Sequence, residues 1–269
     1  MNKSSSSAKR LIAVCGKGGT GKTALTAMMT EVLLESRKAG KLLLIDADPA
    51  MGLPNALGIK VKRTMGQVRE EIIKTARGSD KEKKQKLNSM LDYMVFEALI
   101  EADRFSLLAM GRTQTLGCFC PVNNLLRDAI ETISKNFDTI IIDGEAGLEQ
   151  INRQVIRRLD TLIVVSDATS RGIQTAGQIE KMVENDKVIE VKKMGLVFNR
   201  VQGSDELLKR AAKDIGLNVF GYIPQDDEVA RHDLTGKPLS ELPSTSHALS
   251  AVRAIVENIS IWPKTKGKA

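Results

Sequence analysis

A glycine-rich segment near the start of the chain has the residue types and spacing of a phosphate-binding loop. It fits the pattern G-x-x-x-x-G-K-[ST] through Gly16, Gly21, Lys22 and Thr23. Glycines let the backbone curl so that its N–H groups converge on phosphate oxygens at a helix N-terminus. The lysine is expected to reach the β- and γ-phosphates of a nucleotide, and the threonine hydroxyl to bind Mg²⁺. The alternative, a glycine-rich turn that only joins a strand to a helix, is disfavoured by the apolar strand before the loop and the long helix after it. The expected nucleotide-binding residues here are Gly16, Lys17, Gly18, Gly19, Thr20, Gly21, Lys22, Thr23 and Ala24.

The same loop contains a second lysine, Lys17, which an ordinary phosphate-binding loop does not require. A lysine at this early position points away from the helix that begins at Lys22, so it can reach the nucleotide of a partner subunit. The alternative is a solvated surface lysine. The run from Lys17 to Thr23 resembles the deviant Walker A box of the ParA/MinD/nitrogenase-iron-protein class. The resemblance implies an ATP-bound homodimer in which Lys17 acts in trans beside the catalytic Lys22, much as an arginine finger does.

Three aspartates follow two aliphatic runs that are expected to be strands. Asp46 and Asp48 belong to the segment Asp-Ala-Asp-Pro, which resembles switch I of the same class, and Asp143 ends the run Ile-Ile-Ile-Asp. Carboxylates at the carboxyl ends of parallel strands face the ligand crevice. We expect Asp48 to orient or deprotonate the attacking water as the third catalytic residue. Asp46 and Asp143 are expected to hold Mg²⁺ with Thr23, directly or through water. The alternative for the first two is a strand end that starts a turn.

The residues after two later aliphatic runs favour adenine over guanine. GTP-binding P-loop proteins usually carry Asn-Lys-x-Asp after a late strand, and the corresponding segment here, starting at residue 199, reads Asn-Arg-Val-Gln. The Asn199 amide can still hydrogen-bond adenine. The segment Ile-Pro-Gln-Asp at 223–226 resembles the adenine-side loop of the same class. Arg200, Pro224 and Asp226 are therefore expected beside the base with Asn199, and ATP is the expected nucleotide.

Two of the three cysteines, Cys118 and Cys120, are separated by one residue. Two thiolates at this spacing can face one metal ion, but a tetrahedral thiolate site needs four ligands. A two-fold axis through the pair would supply the other two, and the homodimer implied by Lys17 offers such an axis. The alternative is a pair of structural or surface thiols without a metal. Cys15, inside the first predicted strand, is expected to be buried and inert.

The segments around the cysteine pair resemble one subgroup of this class. The segments M-G-R at 110–112, G-C-F-C-P-V-N-N-L-L-R at 117–127 and E-A-G-L-E at 145–149 together resemble the CooC-type nickel-insertion ATPases of carbon monoxide dehydrogenase maturation. The resemblance implies a maturation factor that binds Ni²⁺ or Zn²⁺ through Cys118 and Cys120 at a subunit interface and serves a client nickel metalloenzyme. Two other functions stay open: an electron-transfer reductase like the nitrogenase iron protein, with an intersubunit iron–sulfur cluster, and a ParA/MinD-type positioning ATPase.

Alternating apolar runs and helical patterns predict a single α/β domain, a P-loop NTPase fold with a mostly parallel twisted sheet flanked by helices. Strands are predicted at 11–15, 41–46, 105–110, 139–143, 161–166, 194–199 and 219–223. Helices are predicted at 22–38, 123–136, 149–158, 172–185, 204–213 and 246–259. A helical insertion is predicted around 60–103, with a break whose N-cap is Ser79 or Asp80. The domain is expected to span 10–262, between basic flexible tails at 1–9 and 263–269.

The distribution of charge and apolar residues limits the classes of function. Much of the formal net charge of +7 lies in the tails and in residues 60–86, which contain ten Lys or Arg against four Asp or Glu. Those residues form either a solvated face or a docking patch for an acidic partner. Aromatic residues make up only 3% of the chain, so nucleic-acid binding by base stacking is not expected. No apolar stretch approaches the ~20 residues that span a bilayer, and the N-terminus lacks the apolar core of a signal peptide, so a cytoplasmic protein without a membrane partner is expected.

Overall fold

Aliphatic runs form the middle of an eight-stranded sheet in the computed structural model. The structure describes residues 9–77, 81–112, 120–145, 158–203 and 205–259. Within them the strands are β1 (Arg10–Gly16), β2 (Leu42–Asp46), β3 (Ile100–Glu101), β4 (Ser106–Ala109), β5 (Thr139–Asp143), β6 (Arg158–Ser166), β7 (Glu190–Val201) and β8 (Val219–Pro224). Their order across the sheet is β3-β4-β2-β5-β1-β6-β7-β8. Neighbouring strands are parallel except β3 and β4, which are antiparallel.

The central strands are buried on both faces. Strands β2 and β5 are buried along their whole length, and β1 is buried in all but its first two residues. A strand covered by helices on both sides has no polar face, which explains solid aliphatic runs in place of alternation. The seven predicted strands and the predicted fold class are confirmed, although β6 and β7 begin earlier than predicted. Strand β3 was not predicted, because two residues are too few to show a periodic pattern.

Helices cover the sheet on both sides. The described helices are α1 (Lys22–Glu35), α2 (Gly52–Ala56), α3 (Met65–Arg77), α4 (Lys81–Ala98), α5 (Cys120–Ser134), α6 (Ser170–Glu184), α7 (Glu206–Asp214), α8 (Asp227–Thr235) and α9 (His247–Asn258). Buried residues of α1 and α9 pack with one face of the central strands, and buried residues of α3 to α7 pack with the other face. Among the residues described, no helix has the length and apolarity needed to cross a bilayer.

The predicted helices are found with shifted ends. Helices α1, α5, α6, α7 and α9 match five of the predicted segments, and α3 and α4 form the predicted insertion. Most of the helix predicted at 149–158, and both N-cap candidates Ser79 and Asp80, lie outside the described residues. The last residue of that predicted helix, Arg158, begins β6 and is therefore not helical. Helices α2 and α8 were not predicted, because both are short and α2 contains a proline.

The helical insertion packs against the segments on either side of residues 113–119. The Gly66 amide in α3 donates to the Met110 carbonyl at 2.7 Å, and a Cβ at Gly66 would collide with the Arg112 carbonyl oxygen. Arg69 Nε, one turn further along α3, donates to Asn123 Oδ1 of α5 at 3.0 Å. The insertion therefore holds the chain that leaves β4 and the first turn of α5 in fixed positions.

Candidate functional site

The carboxyl ends of the parallel strands bring the predicted site residues to one edge of the sheet. Gly16, Asp46 and Asp143 end β1, β2 and β5, which are neighbours in the order β2-β5-β1. Asp46 and Asp143 are register partners across β2 and β5. Because neighbouring strands lie about 4.8 Å apart, the glycine-rich loop and both carboxylates are side by side. This edge is the place where ligands bind in open α/β sheets.

The glycine-rich loop has two positions that only glycine can occupy and two that face open space. At Gly16 and Gly21, φ is +139° and +90°, and a Cβ would collide with the Val165 carbonyl and the Asn199 amide. Gly18 and Gly19 have nothing within 4 Å of a would-be Cβ, so they face open space. Gly21 is the N-cap of α1 and supplies no side-chain hydrogen bond to its first turn. The amides of that turn are therefore available to an anion such as a phosphate.

Lys22 is the first residue of α1, and it is buried beside this loop at 7% exposure. Its Nζ donates a long hydrogen bond of 3.3 Å to the Lys17 carbonyl oxygen. The charge of Lys22 also lowers the pKa of Asp143, so this carboxylate partly balances the ammonium, and phosphate oxygens would supply further negative charge. The loop therefore fits the triphosphate that its sequence predicts.

The oxygen atoms expected to hold Mg²⁺ lie together. Thr23 Oγ1 donates to Asp143 Oδ2 at 2.7 Å, and Thr26 Oγ1 lies 3.3 Å from Asp143 Oδ1. Asp46 Oδ1 accepts a hydrogen bond from the Asp48 amide at 2.9 Å. Burial raises the pKa of Asp143 to about 6, and burial together with the charge of Asp143 raises the pKa of Asp46 to about 7. Hydroxyl and carboxylate oxygens suit a hard cation, and Mg²⁺ commonly takes only one or two carboxylates, with water and phosphates as further ligands, so these residues fit the ion.

Asp48 lies just beyond the end of β2 in a tight turn. Its Oδ1 accepts from the Ala50 amide at 2.8 Å, and its carbonyl accepts from the Met51 amide at 3.0 Å. These bonds form the turn that the alternative interpretation expected after this strand. They leave Asp48 at the same edge of the sheet as the glycine-rich loop, and its action on an attacking water stays a prediction.

Lys17 is half-exposed and contacts a residue that the sequence did not single out. Its Nζ lies 4.0 Å from Asp167 Oδ2. Asp167 follows the end of β6, and its other carboxylate oxygen accepts from the Thr169 hydroxyl at 2.5 Å. The signal that could have found it is the same one that found Asp46, an acidic residue directly after a buried parallel strand.

Asn199 and Arg200 hold the backbone of the glycine-rich loop from β7. Asn199 Nδ2 donates to the Thr20 carbonyl at 2.8 Å, and its Oδ1 accepts from the Arg200 amide at 3.0 Å. The Arg200 guanidinium donates to the Gly19 carbonyl. The Asn199 amide thus already hydrogen-bonds to backbone atoms of the protein. The adenine contacts of Asn199 and Arg200 stay a prediction. Their role in bracing the loop had no signal in the sequence.

Pro224 ends β8, and Asp226 joins the starts of two helices. Asp226 is the N-cap of α8, and its Oδ1 accepts from the Glu228 amide at 2.9 Å. Its Oδ2 accepts from the Ser246 hydroxyl at 2.7 Å and from the Ala248 amide at 2.9 Å, at the start of α9. Partial burial acts to raise the pKa of Asp226, but these hydrogen bonds outweigh it and lower the pKa below its usual value.

Replacing Asp226 with asparagine is expected to lower the free energy of unfolding at pH 7 by about 1–2 kcal/mol, because an amide has one acceptor atom for the three hydrogen bonds. A lowered pKa means that the folded protein favours the carboxylate. The contribution is therefore present above the unfolded pKa of about 3.9 and is lost as the pH falls through the folded value. Urea unfolding at pH 7 and pH 3 measures it, with Asp227→Asn at the exposed next residue as control. An equal difference at both pH values would contradict the assignment.

A cavity of about 650 Å³ opens beside Thr23, between α2 and α8. Its walls include Asn55 from α2 and His232 and Asp233 from α8. The volume is in the range of small-molecule sites, and the cavity adjoins the first turn of α1 through Thr23 and Ala24. The predicted base-side residues do not line it, so the cavity does not locate the adenine: Asn199, Arg200, Pro224 and Asp226. The sequence signal for the missed α8 was Asp226 before two acidic residues, an N-cap followed by an acidic first turn.

The predicted cysteine site is only partly covered by the described residues. Cys118 and residues 146–149 lie outside them, and Cys120 is the first residue of α5. No group of three or more His, Cys, Asp or Glu that could hold a metal occurs among the described residues. Cys15 is fully buried in β1, and burial raises the pKa of its thiol to about 12, as expected for an inert cysteine.

Comparison with known proteins shows the family. Residues 11–239 match the model of the CobQ/CobB/MinD/ParA nucleotide binding domain. An uncharacterized ATP-binding protein of Methanocaldococcus jannaschii is 39% identical over 253 residues, which cover 93% of this chain and 98% of that protein. The carbon monoxide dehydrogenase accessory protein CooC of Rhodospirillum rubrum is 29% identical, with 92% of this chain and 97% of that protein covered.

A solved structure shows the same fold. The septum site-determining protein MinD of Pyrococcus horikoshii, complexed with Mg-ADP, has a TM-score of 0.68 at 20% identity, covering 93% of this chain and 96% of that chain. The family match includes the glycine-rich loop and the strands that carry Asp46, Asp143 and Asn199. The chain therefore belongs to the CobQ/CobB/MinD/ParA family of nucleotide-binding domains.

Proposed function

We propose that this chain is a Mg²⁺-dependent ATPase that acts as a homodimer to deliver nickel or zinc to a client metalloenzyme. The observation that carries the proposal is the place of Cys120. It begins α5 at the nucleotide edge of the sheet, in a chain that matches a carbon monoxide dehydrogenase accessory protein along most of its length.

For the proposed ATPase activity, each residue at the carboxyl ends of the parallel strands has a defined role. The loop amides and the Lys22 ammonium bind the phosphates, and Asp48 orients the water that attacks the γ-phosphate. Thr23, Asp46 and Asp143 hold Mg²⁺, which supplies positive charge to the phosphate oxygens when bound. Lys17 of one protomer adds positive charge at the nucleotide of its partner.

The direction of β4 supports the proposal of metal delivery, because it locates the start of α5. Strand β4 is parallel to β2, so its carboxyl end lies at the same edge as the glycine-rich loop. The chain returns from there to α5, so Cys120 also starts at that edge. Helix N-termini favour thiolates, the form of cysteine that binds metals. A dimer that closes over this edge can bring two Cys118–Cys120 pairs together, and ATP binding and hydrolysis would then form and release the four-thiolate site.

Replacing both Cys118 and Cys120 with serine is expected to remove about one bound metal ion per dimer, because a tetrahedral site loses all four thiolates. Size-exclusion chromatography with elemental analysis measures it, in the presence of Ni²⁺ with ADP or with ATP. Cys15→Ala is the matched control, since it removes a buried thiol and should leave the metal content unchanged. Nickel retained by the double variant would place the metal elsewhere. Stoichiometric iron and sulfide in anaerobically purified protein would favour the reductase.

The basic segment at 60–86 favours a second candidate, a positioning ATPase that binds DNA. Phosphate contacts made by lysines weaken steeply as salt rises. ATP-dependent retention on DNA at physiological salt, with no metal bound at the cysteine pair, would support that function over metal delivery.

A further inference from the structure

Thr26 is a polar residue at a fully buried position of α1, and the proposed ATPase activity gives it no role. Its side chain is 0% exposed. It lies three residues after Thr23, so the two hydroxyls are on the same side of the helix. Threonine is a poor helix former, and a buried hydroxyl without a hydrogen-bond partner is destabilising. The hydroxyl of Thr26 therefore needs a partner inside the protein.

The Thr26 hydroxyl has two acceptors. Its Oγ1 lies 3.0 Å from the Lys22 carbonyl oxygen, four residues back in the same helix, and 3.3 Å from Asp143 Oδ1. A hydroxyl carries one hydrogen, so these two acceptors share it. The bond to the carbonyl is one that threonines inside helices commonly make. The contact with Asp143 is additional, because the carbonyl bond alone already gives the buried hydroxyl a partner.

Thr30 shows how a buried threonine of α1 is bonded without a carboxylate. It is also 0% exposed, and its Oγ1 donates to the Thr26 carbonyl at 2.8 Å. Among the described residues, no carboxylate lies within hydrogen-bond distance of its hydroxyl. Its bond to the helix carbonyl is shorter than that of Thr26, as expected for a hydrogen that is not shared between two acceptors. The two threonines therefore have the same burial and differ in the contact with Asp143.

The Asp143 carboxylate is oriented by contacts of its side chain. Asp143 ends β5, and its carbonyl accepts from the Ala47 amide at 2.9 Å, so its backbone is fixed in the sheet. The carboxylate can still rotate, since the terminal torsion of an aspartate side chain is broad. Thr23 Oγ1 bonds to Oδ2 at 2.7 Å, and Thr26 Oγ1 bonds to Oδ1 at 3.3 Å. Both carboxylate oxygens are thus bonded to α1, the helix that begins at the phosphate-binding loop.

We propose that Thr26 is a positioning residue for Mg²⁺: its hydroxyl keeps the Asp143 carboxylate in the orientation from which it holds the ion, directly or through water. Each carboxylate oxygen has two lone pairs, so the bond from Thr26 leaves Oδ1 able to accept a second contact. Partners that orient a metal-binding side chain typically contribute about 10–100-fold to metal affinity. This inference deepens the proposed function and rests on its Mg²⁺ site, but not on the delivery of nickel or zinc.

The test measures how Mg²⁺ promotes the binding of a fluorescent ATP analogue to the full chain. Thr26→Val keeps the branched shape of the side chain and removes the hydroxyl. The Mg²⁺ concentration that gives half-maximal binding should rise about tenfold, because the carboxylate loses one of its two orienting bonds. The Kd of the analogue in EDTA should stay close to the wild-type value. Thr26→Ser keeps the hydroxyl and should restore the wild-type dependence on Mg²⁺.

Thr30→Val is the matched control. Like Thr26→Val, it removes a buried hydroxyl and its bond to a helix carbonyl, but it removes no contact with Asp143. Its dependence on Mg²⁺ should equal that of the wild type. Far-ultraviolet circular dichroism and thermal unfolding establish that the variants are folded, and Thr26→Ala takes the place of Thr26→Val if the valine variant is not.

A folded Thr26→Val variant with the wild-type dependence on Mg²⁺ would overturn the role of Thr26 alone. An equal rise in Thr30→Val would assign the effect to the packing of α1 and overturn that role as well, and so would a Thr26→Ser variant that behaves like Thr26→Val. Analogue binding by the wild type that does not respond to Mg²⁺ would instead reject the Mg²⁺ site of the proposed function, and the role of Thr26 with it.

Discussion

Lys17→Ala is expected to lower ATP turnover by about 10³-fold or more while the Kd for ATP changes little, because a cationic finger stabilises charge that develops only in the transition state. In the single chain Lys17 does not reach into its own loop, since its Nζ lies beside Asp167 at 4.0 Å. That ion pair is partly exposed, and such pairs contribute about 0–1 kcal/mol. Asp167 therefore cannot lock Lys17 in place, and the lysine can leave for a partner's nucleotide.

Phosphate release gives kcat, and isothermal titration with a non-hydrolysable ATP analogue gives the Kd. The decisive measurement mixes Lys17→Ala with Asp48→Ala, two variants that are each expected to be inactive. If Lys17 acts in trans, a mixed dimer has one complete site, formed by Asp48 of one chain and Lys17 of the other. Random assortment should then restore about a quarter of wild-type turnover, since half of the dimers are mixed and each has one of two sites. No recovery on mixing would mean that Lys17 acts within its own chain or not at all.

Lys22→Ala is expected to weaken ATP binding by at least about 10²-fold, because it removes a buried ammonium from the phosphate-binding loop. The side chain is 7% exposed, so its attraction to phosphate is little screened by water. Equilibrium binding of a fluorescent ATP analogue measures the change. Turnover is expected to vanish at any ATP concentration that leaves the variant unbound.

Two controls accompany the Lys22 variant. Lys41→Ala changes an exposed lysine at the opposite edge of the sheet and should leave the Kd unchanged. Far-ultraviolet circular dichroism and thermal unfolding establish that Lys22→Ala is folded. A folded variant that binds ATP within a few-fold of wild type would show that the loop amides alone hold the nucleotide, and the role of Lys22 would be wrong.

Much of the fold was predictable because it depends on short stretches of sequence. The run Thr-Ile-Ile-Ile-Asp predicts β5 at its observed bounds, since a strand buried on both faces is centred on consecutive aliphatic residues. Helix α8 was missed although its N-cap signal, Asp226 before an acidic first turn, is local, because the helix has only nine residues. The second role of Asp226, its bond to Ser246 at the start of α9, is a tertiary contact that no local pattern shows. The short strand β3 has no periodic pattern, and it pairs with β4 because the chain turns back after α4.

The candidate site also has one part that the local sequence predicts and another part that depends on tertiary contacts. Its phosphate-binding half is one continuous segment whose glycines set the backbone locally, so Gly16 to Thr23 were found from spacing alone. The residues that brace that half come from far along the chain. Asn199 contacts the Thr20 carbonyl across a sequence separation of 179 residues, and Asp167 approaches Lys17 from the end of β6.

The sequence by itself determined the phosphate loop, the buried strands and the presence of carboxylates after two of them. These three features depend on residues that are close together in the sequence, so a short stretch of sequence is enough to predict each of them. The tertiary structure alone decided that β5 lies between β2 and β1, so that Asp46 and Asp143 become register partners beneath the loop. It also decided that Met90, Tyr93 and Phe96 of α4 stay exposed. Strand order and helix packing follow from how crossover helices cover the sheet, and no short window of sequence contains that information.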